Sequence, residues 1–179
     1  MSARPPQVRL APWSEDDFPL LVRLNSPQMT EHLGGPETQD QLEVRHKRYV
    51  AAARSGTFHD TDRSYAAYVF KVLLDPDEVA VGNVTFWTRA WKGDAVYEMG
   101  WGVLPEYQGR GIASAAVTEA VEIARATKGC VTVHAFPSVN NAPSNGICRK
   151  IGFELLGETE FEYPKGHWMR CNDWRLSLR

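Results

Sequence analysis

A segment near the middle of the chain, residues 95 to 128, constrains the fold more than any other part of the sequence. Residues between Ala95 and Val103 predict a strand, and apolar residues from Gly111 to about Lys128 recur with a helical period. Gly109 and Gly111 lie between the two elements. Glycines allow close approach of the backbone, and the N–H groups at a helix N-terminus have no partners within the helix. The segment therefore predicts a backbone cradle for an anion such as a pyrophosphate.

Two well-known phosphate loops do not fit this segment. The sequence contains no GxxxxGK[ST], which excludes a P-loop. Residues 109 to 114 read GRGIAS and lack the final glycine of GxGxxG, so a dinucleotide-binding Rossmann unit is not supported. Taken alone, the two glycines also fit a plain turn into a helix, and their function depends on the surrounding sequence.

The N-terminal third of the chain predicts one short strand and two helices. The strand covers Val8 to Leu10, and Ser14 with Asp17 forms a capping box for a helix that ends before Pro27. Thr38, with a glutamine three residues later, forms a second capping box ahead of apolar residues at helical spacing. We expect both helices to pack an apolar face against a sheet.

The rest of the chain predicts a sheet interrupted by two helices. In order, the segments are strands at 64–74, 79–90 and 95–103, the helix after Gly111, a strand at 131–135, a helix at 142–150 and two strands around 164–166. The first three strands are separated by turn signals and predict an antiparallel meander. The order after the first short strand, ααβββαβαββ, predicts a mixed α+β fold with helices on the sheet faces. No repeat or linker divides the sequence, so residues 1–179 are interpreted as one domain.

Composition and charge restrict the class of protein. Lysine and arginine total 20 against 22 acidic residues, a net charge of -2 that lacks the positive excess needed for bulk binding of nucleic acid. The three cysteines, Cys130, Cys148 and Cys171, have no CxxC spacing and favour a reduced, cytoplasmic setting. No signal-peptide pattern and no run of about 18 apolar residues is present, so we expect a soluble protein without a membrane segment. The five histidines lack ligand spacings such as HExxH, and no metal is predicted.

Three motifs in this order resemble the GNAT superfamily of N-acetyltransferases. Gln108, Gly111 and Ala113 match the [QR]xxGx[GA] loop that binds acyl-coenzyme A in that family, and residues 100–107 look like its fourth strand and exit turn. Residues 141–153 are similar to the NxxS...KxGF segment of the branch that includes the ribosomal-protein N-terminal acetyltransferases. The resemblance covers about residues 97 to 153.

The resemblance implies a fold and a cofactor. Such enzymes have a mostly antiparallel sheet with helices on both faces, and acetyl-CoA lies where the family's fourth and fifth strands splay apart. Its pantetheine arm would pair with Trp101, Gly102 and Val103, and Asn141 would hydrogen-bond the arm or act as a helix N-cap. The pyrophosphate would contact Gln108, Gly109, Arg110, Gly111, Ile112, Ala113 and Ser114. Arg110 either adds a phosphate contact or is a solvated loop charge.

Three residues are candidates for moving protons when an amine attacks the thioester. Glu98 is the first choice for the base, since relatives often carry a glutamate near this position and apolar neighbours such as Trp87 and Trp101 would raise its pKa. A cross-strand ion pair is the alternative use of this glutamate. His134 is the second candidate, or else a buried, hydrogen-bonded core histidine. Cys148 stands where many relatives have a tyrosine acid, and it either protonates the leaving thiolate or is a small buried apolar residue.

The sequence therefore predicts an N-acetyltransferase that moves an acetyl group from acetyl-CoA to a primary amine by direct attack. The acceptor is a peptide N-terminus or a small molecule, and the alternative function is a catalytically silent acyl-CoA-binding regulatory module. The loop from His32 to Pro36 is expected near the acceptor. Four acidic residues would suit a cationic acceptor and are equally ordinary surface charges: Glu31, Glu37, Glu160 and Glu162. Pairing of the last strands would give a homodimer.

Overall fold

The fold is built on one sheet. In the computed structural model, which describes residues 7–60 and 63–179, eight strands lie in the order β1-β3-β4-β5-β6-β8-β7, with β2 paired to β3. The strands are β1 (Val8–Pro12), β2 (Thr57–Asp60), β3 (Arg63–Leu74), β4 (Val79–Trp91), β5 (Asp94–Val103), β6 (Thr132–Ala135), β7 (Glu154–Glu162) and β8 (Trp168–Ser177). The β5–β6 pair is parallel, and the other pairs between these described strands are antiparallel. The mixed, mostly antiparallel sheet predicted from the sequence is confirmed.

Five α-helices connect the strands in the described part of the chain. They are α1 (Phe18–Leu24), α2 (Pro27–Thr30), α3 (Gln39–Ser55), α4 (Ile112–Thr127) and α5 (Ala142–Ile151). The capping box at Thr38 is present and begins α3, and Gly56 ends that helix in the left-handed conformation. None of these described helices combines the length and the apolar character that a membrane span requires.

Helices cover both faces of the sheet. On one face α1 and α3 pack against β3 and β4 and bury side chains such as Leu42, and on the other face α4 packs against β4 and β5 and buries Val117. Successive side chains of a strand point to opposite faces. Accordingly, Val69 of β3 belongs to the cluster under α3, whereas Val72 belongs to the cluster under α4. The predicted placement of helices on both faces is confirmed.

Two short elements differ from the sequence prediction. Pro27, predicted to follow the end of the first helix, also occupies the first position of α2. Ser26 is the N-cap of α2 and accepts a hydrogen bond from Met29 N. Proline suits this position because its missing N–H would have no helical partner there. Strand β2 was not predicted, since its four residues are too few to show an alternating pattern and it exists by pairing with β3.

The close approach of β4 and β5 gives a prediction on stability. A Cβ atom at Gly82 of β4 would lie 2.2 Å from the carbonyl oxygen of Gly102, so Gly82→Ala must push the two strands apart. We expect it to lower the free energy of unfolding by about 1–3 kcal/mol, measured by urea denaturation. The matched control is Gly146→Ala in α5, where a Cβ meets nothing within 4 Å and a helix favours alanine over glycine by about 0.5–1 kcal/mol. Equal stability of the two variants would contradict this account.

Candidate active site

Strands β5 and β6 separate after only two paired positions. Tyr97 lies opposite Val133 and Glu98 lies opposite His134. Beyond this point, no described residue of β6 pairs with residues 99–103, which make up the second half of β5. One edge of β5 is therefore open over the length at which the resemblance places the pantetheine arm.

The chain leaves β5 because it continues to follow β8. After the end of β6, Pro137 O accepts a hydrogen bond from Asn172 N at 2.9 Å, and Val139 N donates to Arg170 O at 3.1 Å. Proline has no N–H to contribute to a ladder with β5. The segment after β6 is thus held on the far side of the gap.

Asn145 of α5 fixes this far side. Its Nδ2 donates to the carbonyl oxygens of Ser138 and Asn141 at 2.9 and 2.8 Å, and its Oδ1 accepts from Asn172 Nδ2 and Trp174 Nε1 at 2.7 and 2.8 Å. Four hydrogen bonds on a buried amide make it expensive to replace. The sequence analysis did not identify Asn145, because two of its partners, Asn172 and Trp174, lie on β8, which is distant in sequence.

The predicted anion cradle has the expected backbone. Gly109 and Gly111 both have positive φ, 73° and 79°, and Gly111 is the N-cap of α4 without a capping side chain. Among the described residues, no acceptor is found for the N–H groups of residues 109–114. Six backbone donors at a helix N-terminus suit an anion, because they add hydrogen bonds to the positive end of the helix dipole.

Gln108 and Arg110, which flank the first glycine, make different contacts. Gln108 Nε2 donates to Val103 O at 2.8 Å and so ties the loop to the end of β5. Arg110 Nη2 donates to Glu106 O at 3.0 Å, and the guanidinium lies 5.6 Å from the centre of the Tyr107 ring. Arg110 is therefore an exposed loop charge beside the cradle.

A cavity of about 680 Å³ extends from the open edge of β5 to α3. Glu98, Gly100 and Gly102 line it from β5, and Asn141 lines it from the opposite side of the gap. Asn141 Oδ1 accepts a hydrogen bond from Ser144 N at 3.1 Å, so its predicted alternative role as the N-cap of α5 is confirmed.

The outer wall of the cavity comes from two segments that meet across it. The loop after α2 contributes Leu33 and Gly35, and the turn between β7 and β8 contributes Tyr163 and Pro164. Arg45 of α3 joins them, since its Nη2 donates to the Tyr163 hydroxyl at 3.0 Å. The loop from His32 onward, which the sequence analysis expected near the acceptor, therefore lines this cavity.

Glu98 is a carboxylate at the inner end of the cavity. Its side chain is 12% exposed, and Oε2 accepts a hydrogen bond from Arg89 Nη1 at 2.6 Å. Burial raises the pKa of the Glu98 carboxyl above its ordinary value, and the Arg89 guanidinium offsets part of this rise. The rise in the Glu98 pKa and the cross-strand ion pair, both considered from the sequence, are therefore both present.

Aromatic rings hold Arg89 against Glu98. The Arg89 guanidinium carbon lies 5.2, 5.6 and 4.9 Å from the ring centres of Trp91, Phe136 and Phe161. Cation–π attraction favours this arrangement, and the rings also exclude water from the ion pair. The orientation of Glu98 is thus fixed by side chains from β4, β7 and the segment after β6.

His134 lies beside Glu98 but belongs to a separate buried pair. Its Nδ1 is 2.7 Å from Asp173 Oδ1, and Asp173 Oδ2 accepts a hydrogen bond from Trp91 Nε1 at 2.9 Å. The His134 side chain is 6% exposed, and the residue is not among those lining the cavity. This geometry matches the alternative of a buried, hydrogen-bonded core histidine.

Cys148, the candidate acid, does not line the cavity, and Trp101 does not lie beside Glu98 as the sequence analysis expected. Cys148 of α5 is fully buried in the cluster under α4, where burial raises the pKa of its thiol to about 12. Trp101 lines the cavity but packs against the same cluster, because it is an odd number of residues from Glu98 along β5. Of the two aromatic neighbours predicted for Glu98, Trp87 is confirmed as its register partner on β4, whereas the expectation for Trp101 was wrong.

Two charged residues near Glu98 were missed by sequence reasoning. A signal for Arg89 existed: the turn at Lys92 and Gly93 sets the β4–β5 register, which places Arg89 diagonal to Glu98. Asp173 had no such signal, because it is 39 residues from His134 in sequence and meets it through β8.

The site combines an open strand edge, a glycine loop at a helix N-terminus and a buried carboxylate. These features are typical of proteins that hold a coenzyme A thioester where a sheet splits. The family described as "Acetyltransferase (GNAT) domain" matches residues 7–154. The chain therefore belongs to the GNAT acetyltransferase family, as its motifs predicted.

Individual relatives agree on the fold and differ in what they are named for. The chain is 28% identical over 117 residues to the "Uncharacterized N-acetyltransferase YnaD" of Bacillus subtilis (strain 168), a match that spans 65% of this chain and 65% of that protein. Spermidine N-acetyltransferase from Vibrio cholerae, solved with CoA and spermine, is 18% identical with a TM-score of 0.73 and 96% coverage of both chains. RimJ of Mycobacterium smegmatis, solved with CoA-disulfide, is 21% identical with a TM-score of 0.72, covering 95% of this chain and 81% of that one. These similarities establish the fold but favour no single branch of the family.

The Arg89–Glu98 pair gives a prediction that needs no substrate. Arg89→Met removes the positive charge that lowers the Glu98 pKa, so that pKa should rise further above its ordinary value. The pH titration of the Glu98 side-chain carboxyl signal by NMR measures it. Arg89→Lys keeps a cation and should give a smaller rise. An unchanged Glu98 pKa in Arg89→Met would mean that the two side chains do not interact in solution.

Proposed function

We propose that this chain is an N-acetyltransferase that moves the acetyl group of acetyl-CoA directly to a primary amine. The observation that carries the proposal is the parting of β5 from β6 next to unpaired amides at the N-terminus of α4. An extended arm and a diphosphate need both features at once, a free strand edge and a cluster of N–H donors. The free strand edge also lines the cavity that contains Glu98.

The donor end of the site uses mainly backbone groups. We assign the pantetheine arm to the edge formed by Trp101, Gly102 and Val103, and the diphosphate to residues 108–114, with Arg110 adding charge from the rim. Gly102 suits a narrow gap, since a Cβ there would already lie 3.4 Å from both Leu24 and Met29. Asn141 lies on the opposite wall, where its amide faces the same cavity.

The chemistry assigned to Glu98 is removal of a proton from the acceptor. The amine nitrogen forms a bond to the thioester carbonyl carbon, the C–S bond breaks, and Glu98 takes the proton released from nitrogen. A backbone N–H at Val103 or a neighbour donates to the carbonyl oxygen as it gains negative charge. A carboxylate whose pKa is raised by burial is a better base near neutral pH than an ordinary surface glutamate.

His134 and Cys148 receive structural roles in this proposal. The Asp173 partner of His134 and the full burial of Cys148 both favour packing and hydrogen bonding over contact with substrate. The leaving thiolate is then protonated by solvent, and the sequence candidate for a general acid is not used.

A catalytically silent acyl-CoA-binding module is the second candidate. The Arg89–Glu98 ion pair favours it, because a carboxylate held by a guanidinium is a weaker base than a free one. Release of free coenzyme A thiol with a panel of amines separates the candidates. Thiol release supports the enzyme, whereas stabilisation by acetyl-CoA without release with any amine supports the silent module.

The acceptor and the setting are proposed only at a coarse level. A primary amine of a peptide or a small molecule fits the family, and the Rim-like motifs favour a peptide N-terminus. A cytoplasmic setting fits the three free, buried cysteines.

Glu98→Gln tests the base. The variant keeps the shape of the side chain but cannot accept the proton, so kcat should fall by about 10²–10⁴-fold while acetyl-CoA affinity is unchanged. In the native protein kcat/KM should fall as the pH drops through the Glu98 pKa, because the base works only when deprotonated. Since burial raises that pKa, the fall should begin at a higher pH than for an ordinary carboxyl, and it should be absent in Glu98→Gln. His134→Ala is the variant with which Glu98→Gln is compared. If kcat/KM of Glu98→Gln still falls at low pH, the assignment of Glu98 as the base is rejected.

Gly109→Val tests the anion cradle. Gly109 and Gly152 both have positive φ, 73° and 95°, and a Cβ at either meets nothing within 4 Å. Valine strains the backbone at both positions, but only residue 109 lies in the cradle. We expect coenzyme A to bind at least tenfold more weakly to Gly109→Val, by calorimetry, and with native affinity to Gly152→Val. Equal weakening in both variants would point to strain elsewhere in the fold and not to the cradle.

A further inference from the structure

The described side chains that line the cavity carry more positive than negative charge. Among its described lining residues, the carboxylates are Glu37 and Glu98, and each is already paired with an arginine: Glu37 Oε2 with Arg45 Nη2 at 2.8 Å and Glu98 Oε2 with Arg89 Nη1 at 2.6 Å. Arg48 and Arg63 also line the cavity, and Arg48 pairs with no carboxylate among the side chains that the structure describes. The described lining therefore carries an excess of positive charge.

This excess lies at the exposed mouth, away from Glu98. Arg48 and Arg63 are exposed, whereas Glu98 is at the buried end. An aromatic wall connects the two ends: Trp87 is the register partner of Glu98, and Phe58 lies 6.4 Å from Trp87 by ring centres. The Arg48 guanidinium lies over the Phe58 ring at 5.2 Å. A molecule with its amine at Glu98 can extend along Trp87 and Phe58 to the guanidinium of Arg48.

The acidic residues that would suit a cationic acceptor do not present a free negative charge to this cavity. Glu31, Glu160 and Glu162 are exposed and outside its lining, and Glu37 is held by Arg45. A second ammonium group on the acceptor would therefore find arginine at the mouth. Like charges without an intervening partner repel, which disfavours polyamine-like acceptors.

From these observations we infer that the acceptor is a primary amine that also bears an anionic group, a carboxylate or a phosphate, bound by Arg48. The inference rests on the proposed function and names its substrate class. A guanidinium presents paired N–H donors that match the oxygens of either anion, and the ring beneath Arg48 leaves its edge free to donate.

Amines of matched length test the inference. Pentylamine, 5-aminopentanoate and 1,5-diaminopentane share one reacting amine and differ in the distal group, and 4-aminobutyl phosphate distinguishes phosphate from carboxylate. We expect kcat/KM to be about tenfold higher for an anionic amine than for pentylamine, and lowest for the diamine. In the Arg48→Gln variant kcat/KM for the anionic amines should fall to the value for pentylamine. Arg54→Gln, which removes an exposed arginine of α3 that pairs with Glu15 outside the cavity, is the control and should keep the preference.

Binding measurements keep this test separate from that of the proposed function. With the protein saturated by free coenzyme A, calorimetry should show tighter binding of an anionic amine than of pentylamine, and Arg48→Gln should lose the difference. Equal binding of pentylamine, the anionic amines and the diamine, a preference for the diamine, or an equal loss for all amines in Arg48→Gln would overturn the inference. Absence of thiol release with every amine, together with selective binding of the anionic ones, would overturn the proposed transfer reaction and leave the binding inference supported.

Discussion

The separation of β5 from β6 is the constraint on which the rest of this structure depends. A parallel pair of strands ordinarily continues its ladder, because unpaired backbone groups in a protein interior are costly. Here the chain after β6 exchanges that ladder for hydrogen bonds to β8, at Pro137 and Val139, and Asn145 holds it there through four further bonds. The unpaired backbone groups at the gap therefore belong to β5 alone. Water or an extended ligand can satisfy their hydrogen bonds.

Two hydrogen-bonded pairs beside the gap, Arg89 with Glu98 and His134 with Asp173, share an aromatic residue. Trp91 lies under the guanidinium of Arg89 and also donates its indole N–H to Asp173, the partner of His134. Removing Arg89 would leave the largely buried Glu98 carboxylate without its partner, which is costly. The ion pair with Arg89 explains how Glu98 can be largely buried beside the cavity and still remain in one orientation.

The parts of the fold that local sequence determines were predicted, and the parts that depend on distant contacts were not. The capping box at Thr38 and the glycines 109 and 111 act within a few residues of themselves, so their patterns identified α3 and the cradle. The four-residue β2 exists only through β3, and its own residues carry no alternation. Glu98 and its neighbour Trp87 were identified from the sequence, but its partner Arg89 follows from strand register.

The same distinction separates the two ends of the candidate site. The proposed donor end is formed by backbone groups on consecutive residues, so one stretch of sequence encodes most of it. The proposed acceptor end is formed by side chains from α3, β2, β3 and the β7–β8 turn, brought together by contacts such as Arg45 with Tyr163. Substitutions at these positions change the charge presented to an acceptor without altering β5 or the N-terminus of α4. A family built this way can keep one acyl donor while its members diverge in the amine that they accept, which is why the motifs identify the family and the lining charges carry the information on the acceptor.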